Sequence, residues 1–224
     1  PLETLFPYTT LFRSVDEADI GGWDLLWNEK YADRIVMIDN SRDAFAIAEA
    51  MLGYSLNTED PDELQAAAEL LAEQTAVVQS YSMDDMYNVM ENEEAWIAPY
   101  YAGDAMLMMD ENPDLAFYLP EDQTFNVFID AMCIPSCAEH KEEAELFINF
   151  LTSPEISGGN MDYIGYGTPV SAAKEYMDPE MANNPVAYPD DATLERGEAF
   201  VALSDEAQQL MDNLFNEVKA GLTA

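Results

Sequence analysis

The stretch IVMIDNSRDAFAIAEAMLG, residues 35–53, predicts a buried strand, a polar turn and a helix in direct succession. Residues 35–38 are four consecutive apolar side chains, a run that is typical of a strand buried on both faces. Asp39 or Asn40 can then cap a helix whose apolar residues recur along one face until Gly53 ends it. The stretch therefore predicts one strand–helix unit of an α/β fold.

The same alternation continues along the rest of the chain. The segment 57–61 places a capping residue beside a proline, and Ser204 precedes a final helix whose apolar residues share one face. Strand–helix alternation on this scale predicts an α/β fold with a largely parallel sheet. Further strands are predicted at 76–78, 95–98, 115–119 and 127–134, and further helices at 83–90, 103–109 and 144–151.

The charge of the chain limits its possible partners. Its 224 residues include 45 acidic and 8 basic side chains, which gives a formal net charge of −37 at pH 7. Such a surface repels the phosphates of nucleic acids, so nucleic acid is excluded as a partner, whereas cationic ligands are attracted. Solubility or adaptation to a salty environment would explain the same acidity, so the charge alone does not identify a site.

Signatures of catalysis, of metal binding and of a membrane span are missing from the sequence. Cys133 and Cys137 match no common zinc pattern with His140, so we predict two free thiols and no metal site. No glycine-rich phosphate loop follows a strand, and we predict no cofactor. No apolar run approaches the roughly 20 residues of a membrane span, so no membrane insertion is predicted. Because carboxylates are so numerous, a carboxylate-pair hydrolase stays open as the alternative from a different functional class.

Aromatic and acidic residues follow, or lie on, several predicted strands. Asn40 and Asp43 come after the first strand, Tyr100 follows another, and Phe128 and Asp130 share one face of a third. Ligands of open α/β sheets bind beyond the carboxyl ends of the strands. Carboxylates bind ammonium groups, and aromatic faces bind cations and methylene groups. The pattern therefore predicts a polyamine site, although core aromatics and acidic helix caps would leave the same pattern.

A series of short segments adds a resemblance to these patterns. They are WDLLW at 23–27, DNSRD at 39–43, LGYSLNT at 52–58, YAGDA at 101–105, FINFL at 147–151, IGYGTP at 164–169 and YPD at 188–190. Each segment is weak evidence, but their order and intervals extend over essentially the whole chain. From about residue 19 to residue 222, the chain resembles the second part of bacterial spermidine/putrescine-binding proteins, the solute receptors of ABC importers.

This resemblance implies a periplasmic-binding-protein type II-like α/β fold, in which two lobes close on a ligand. The remainder of the first lobe is expected to be absent, so the chain would hold one complete lobe and part of another. Residues 127–172 should then expose apolar surface. Residues 5–14, LFPYTTLFRS, resemble a translated sequencing adapter. The expected division is 1–14 as a non-native segment, 15–126 as the second lobe, 127–172 as a crossover into the first lobe, and 173–224 as C-terminal helices returning to the second.

The resemblance also implies a function without catalysis. The chain would capture putrescine or spermidine and deliver it to the permease subunits of an ABC importer. Its expected location is the periplasm or, as a lipoprotein, the outer side of the cell membrane. A receptor of the same fold for another small cationic or amino acid-like solute is the alternative within this class.

The ligand residues implied by the resemblance are carboxylates and aromatic rings. Asp130 would bind one ammonium group and Phe128 would stack on the alkyl chain. Asn40 and Asp43 would hold the distal amino group, and Asn40 departs from the family's pattern because it removes one charge there. The full predicted set is Asn40, Asp43, Tyr100, Phe128, Asp130 and Tyr166.

Overall fold

The structure is a computed structural model that describes residues 14–120 and 122–221. Apart from Ser14, the expected non-native segment lies outside the described residues. The chain divides into two compact units, while the lobe boundaries given above stay a prediction. Among the described residues, the first unit comprises 14–100, 108–120, 122–127 and 195–221, and the second unit comprises 101–107 and 128–194.

The first unit contains a parallel pair of strands. Strand β1, Ile35–Ile38, is buried along its whole length, as the opening stretch predicts. It pairs with β2, Val78–Ser82, which begins where the strand predicted at 76–78 was expected to end. The strand predicted at 95–98 is reduced to a single bridge between Ile97 and Ile35. The parallel pairing agrees with the predicted fold class.

The prediction of strands at 115–119 and 127–134 is wrong. Across the described residues of these ranges the backbone forms no strand. The nearest pairing is one isolated bridge between Asn126 and Glu198. A strand requires a neighbour that supplies ladder hydrogen bonds, and an apolar run by itself does not provide one.

The helices follow their predicted caps closely. The Asn40 side chain accepts a hydrogen bond from the backbone N–H of Asp43 and so caps α1, which ends at the left-handed residue Gly53 (φ 75°). Asp60 caps α2 and Ser204 caps α9 in the same way. The helix bounds are α1 Ser41–Leu52, α2 Pro61–Gln74, α3 Met86–Glu91, α4 Ala102–Glu111, α5 Lys141–Leu151, α6 Pro154–Ile164, α7 Pro179–Ala182, α8 Asp191–Leu194 and α9 Asp205–Lys219.

The core of the first unit lies among α1, α2, α9 and β1. Helix α2 packs against both α1 and α9. Each large apolar side chain buried there contributes roughly 1.5–3 kcal/mol to stability. The fully buried ones include Ile35, Val36, Met37, Phe45, Leu64, Leu71, Met211 and Val218.

The second unit is built mainly from helices. Helix α6 packs against a 3₁₀ helix, Ser171–Tyr176, and the buried residues Met177, Met181 and Ala182 form a small core. Helix α5, by contrast, has no buried residue. The prediction that residues 127–172 expose apolar side chains is confirmed. The exposed side chains are those of Phe128, Ile129, Met132, Leu146, Phe147, Phe150, Tyr163 and Ile164.

One acidic side chain of the first unit is fully buried. Glu49 of α1 has no exposed surface, and neither carboxylate oxygen has a hydrogen-bond partner among the described residues. Burial raises the pKa of Glu49 to about 7, against a smaller opposing effect of the Arg42 charge. Arg42 itself donates to Asn57 Oδ1 at 2.7 Å, and its guanidinium lies 4.6 Å from the centre of the Phe200 ring. A substantial fraction of Glu49 is therefore neutral near pH 7.

Candidate functional site

The candidate site in the second unit begins at the first turn of α4. Gly103 lies against the ring of Tyr166, and a Cβ atom at position 103 would come within 2.2 Å of Tyr166 Cδ2 and Cε2. Non-bonded carbon atoms do not approach each other so closely, so any other residue at position 103 would displace the ring. The glycine therefore provides the surface on which Tyr166 rests.

The hydroxyl of Tyr166 is held by the same turn of α4. It donates a hydrogen bond to Asp104 Oδ2 at 2.8 Å, and both side chains are half-buried. Asp104 lies in the first turn, where the helix dipole favours a negative charge. Residues 103 and 104 thus contact the ring and the hydroxyl of one tyrosine.

Two more rings extend from Tyr166. The Phe128 ring lies edge-to-face with Tyr166, with centroids 6.1 Å apart, and also with Tyr101, at 5.8 Å. Both separations fall within the favourable range for aromatic pairs. We call Tyr101, Phe128 and Tyr166 the aromatic trio. Phe128 is 42% exposed, so the trio offers ring surface to a cation or an alkyl chain.

Asp130 is a second carboxylate of interest, because it lies close to the trio in sequence. It follows Phe128 by two residues, in a segment without regular secondary structure, and it is exposed. Because this segment is not a strand, alternation along a ladder does not decide whether Phe128 and Asp130 point to the same side. The exposed carboxylate is nevertheless open to an ammonium group.

The other predicted ligand residues belong to the first unit. Asn40 Oδ1 accepts from the Asp43 backbone N–H at 3.2 Å, which gives Asn40 a capping role that needs no ligand. Asp43 lies in the first turn of α1. Tyr100 donates its hydroxyl to the Met83 carbonyl at 3.2 Å, and its ring lies edge-to-face with Tyr87 at 6.3 Å. These contacts tie Tyr100 to a core cluster of the first unit.

Within the second unit, the structure brings two residues of the predicted set together. Phe128 and Tyr166 are in contact, and the sequence reasoning missed two of their partners, Tyr101 and Asp104. Both lie in the segment YAGDA, so the signal was present. Tyr100 contacts Tyr87, whereas its neighbour Tyr101 contacts Phe128, and the sequence does not reveal which of the two tyrosines joins the trio.

Other chemistry is not indicated by the described residues. Across 14–120 and 122–221, no three His, Cys, Asp or Glu side chains are arranged to hold a metal ion. Cys133 and Cys137 are both exposed, and neither forms a disulfide in the part of the chain that the structure describes. In the same part of the chain, no helix is both long enough and apolar enough to cross a membrane.

Comparison with known proteins adds a separate line of evidence. Residues 21–196 match the family described as bacterial extracellular solute-binding protein. The spermidine/putrescine-binding periplasmic protein of Salmonella typhimurium is 31% identical over 208 residues, which cover 93% of this chain and 59% of that protein. The chain thus spans about three fifths of the length of the curated relative.

Two solved structures are similar as well. A structure described as a spermidine/putrescine ABC transporter from Listeria monocytogenes has a TM-score of 0.82 at 32% identity, covering 88% of this chain and 61% of that one. The substrate-binding protein of a spermidine/putrescine ABC transporter from Streptococcus pneumoniae has a TM-score of 0.81 at 29% identity. That match covers 95% of this chain and 64% of the other.

Proposed function

Because this chain belongs to the bacterial extracellular solute-binding proteins, we propose that it takes part in capturing a polyamine, putrescine or spermidine, outside the cytoplasm. The predicted type II periplasmic-binding-protein-like fold is confirmed by the likeness to the two solved structures. The observation that carries the proposal is the aromatic trio with carboxylates beside it in structure, at Asp104, and in sequence, at Asp130.

The chemistry of a polyamine fits this arrangement. A protonated polyamine combines an alkyl chain with ammonium groups, which are donors only. Ring faces pack on methylene groups and attract cations, while a carboxylate accepts charge-assisted hydrogen bonds. The net charge of −37 would also accelerate the encounter with a cation, in a manner that salt weakens.

We assign the following roles within this proposal. Asp130 accepts from one ammonium group, and Phe128 and Tyr166 contact the alkyl chain, with Tyr101 as an addition to the predicted set. Asn40, Asp43 and Tyr100 are proposed as further contacts. Because Asn40 Oδ1 already accepts the capping hydrogen bond, Asp43 is the stronger acceptor of that pair.

Delivery to the permease subunits of an ABC importer completes the proposed role. No chemical step on the polyamine is needed, since a receptor of this kind binds and releases its ligand unchanged. The names of the relatives support this transport role, and the aromatic trio supports a ligand that is both cationic and apolar along its length.

A titration followed by NMR tests the proposal on the 224-residue chain. Carbon-13 labels on tyrosine and phenylalanine rings report on the aromatic trio while putrescine or spermidine is added. The buffer contains about 0.3 M sodium chloride, which screens exposed charges beyond roughly 6 Å. We expect saturable shifts of the Tyr101, Phe128 and Tyr166 signals, and their loss in the Asp130→Ala variant.

Magnesium chloride is the matched control, because Mg²⁺ carries the charge of putrescine without its alkyl chain. Shifts that never saturate, or that Mg²⁺ reproduces, would mean that polyamines only associate with the acidic surface, and the proposal would be overturned. Saturable binding of another amine or of an amino acid, with no response to either polyamine, would move the function to the alternative solute class.

A further inference from the structure

The contact between Tyr166 and Asp104 joins residues 62 positions apart and involves a carboxylate outside the predicted ligand set. We propose that Asp104 is a positioning residue: it holds the Tyr166 hydroxyl, and thereby the orientation of the ring that meets the polyamine. The inference rests on the proposed function for its ligand, but the geometry that supports it lies wholly within the second unit.

Two contacts restrain the Tyr166 ring from different directions. The side of the ring that carries Cδ2 and Cε2 lies against Gly103, where a Cβ atom would have no room. Its hydroxyl is bonded to Asp104 Oδ2 at 2.8 Å. The Gly103 contact alone limits how near the ring can come to α4, but leaves the ring able to slide across the helix. The hydrogen bond to Asp104 removes that freedom.

The restraint matters because Phe128 depends on Tyr166. The two rings are edge-to-face at an interplanar angle of 68°, and Phe128 in turn meets Tyr101 at 73°. A shift of Tyr166 would therefore change the surface of the whole trio. Pre-set ring positions lower the ordering cost of binding, so loss of the Asp104 contact should weaken affinity without removing any ligand contact.

The competing role for Asp104 is direct contact with an ammonium group. A carboxylate has lone pairs beyond the one that accepts from Tyr166, so a direct contact is chemically reasonable. Asparagine separates the two roles, because its side-chain oxygen still accepts from a hydroxyl but it carries no charge. Alanine removes both functions.

The experiment measures the dissociation constant for putrescine at about 0.3 M salt in Asp104→Ala, Asp104→Asn, Tyr166→Phe and the Asp104→Ala/Tyr166→Phe double variant. Loss of one hydrogen bond should weaken binding about fivefold in each of Asp104→Ala and Tyr166→Phe. The double variant should be no weaker than the poorer single variant, since both changes break the same bond. Asp104→Asn should stay within about twofold of wild type.

Direct contact predicts the opposite pattern and would overturn the inference. Asp104→Asn would then bind as weakly as Asp104→Ala, and the losses in the double variant would multiply. Asp110→Ala, on the exposed side of the same helix, controls for a general loss of negative charge.

The ligand-free proteins provide a second measurement that does not depend on the polyamine. We expect the Tyr166 ring signals to move in Asp104→Ala and to stay in place in Asp104→Asn, because the ring current of Phe128 reports the distance between the rings. If wild type binds no polyamine, the proposed function fails while this comparison still tests the positioning role. Unmoved ring signals in Asp104→Ala would refute that role by themselves.

Discussion

We expect the Glu49→Gln variant to be more stable than wild type at alkaline pH, by an amount that shrinks on acidification. Glu49 has no exposed surface, and its carboxylate oxygens have no hydrogen-bond partner among the described residues. Glutamine has nearly the same shape and cannot ionise. The substitution therefore removes the cost of burying a charge while it keeps the volume of the side chain.

The magnitude follows from the pKa of Glu49, which burial raises from 4.5 to about 7. A raised pKa means that the folded state prefers the neutral acid, so ionisation opposes folding. The penalty begins as the pH rises above the unfolded value and is complete above the folded value. At about 1.4 kcal/mol for each pKa unit, the penalty is about 3 kcal/mol at pH 8 and about 1 kcal/mol near pH 5.5.

Urea denaturation of both proteins at a series of pH values measures this difference directly. Glu73→Gln is the matched control, because Glu73 is an exposed glutamate of helix α2 and its removal changes the net charge equally. We expect that control to differ from wild type by less than about 0.5 kcal/mol throughout. A Glu49→Gln variant whose stability advantage is the same at every pH, or is absent near pH 8, would refute the reasoning.

Two further expectations concern the helix cap and the exposed apolar side chains. Asn40→Ala should destabilise the chain by about 1 kcal/mol in urea denaturation because α1 loses its cap. Asn40→Asp should keep that stability and, under the proposed function, raise the affinity for spermidine relative to putrescine; an unchanged ratio would contradict a role at the distal amino group. Leu146 and Phe147 of α5 are 68% and 59% exposed, so the chain should self-associate with rising concentration in sedimentation velocity. The Leu146→Glu/Phe147→Glu variant should stay monomeric. Concentration-independent sedimentation of wild type would show instead that the exposed side chains of α5 do not mediate self-association.

Local patterns in the sequence were sufficient for most of the helices. The caps Asn40, Asp60 and Ser204 and the ending at Gly53 are found where the sequence predicts them. Each of these features depends on residues within one or two turns of the chain. Strand β1 was predicted equally well, because four consecutive buried apolar residues are a strong local signal.

Strand pairing was predicted less well. The apolar runs at 115–119 and 127–134 resemble strands in composition but do not pair, and β2 extends into the polar residues Gln79 and Ser80. The strand that supplies the hydrogen bonds to a given strand can lie far away in the sequence. The composition of one segment therefore does not reveal whether it has a partner strand. The burial of Glu49 has the same origin, since a charged residue in a helix is expected to be exposed unless other elements cover it.

The sequence by itself determined the acidic character of the chain, most of its helices and the type of residue suited to a polyamine, because these properties depend on composition and short-range spacing. Tertiary structure decided which residues act together. Only folding brings Tyr166 onto Gly103 and Asp104, and only folding separates the neighbours Tyr100 and Tyr101 into a core contact and a member of the aromatic trio. The physical reason is that a site depends on which side chains are close in space. A contact between residues 62 positions apart produces no periodic pattern in the sequence.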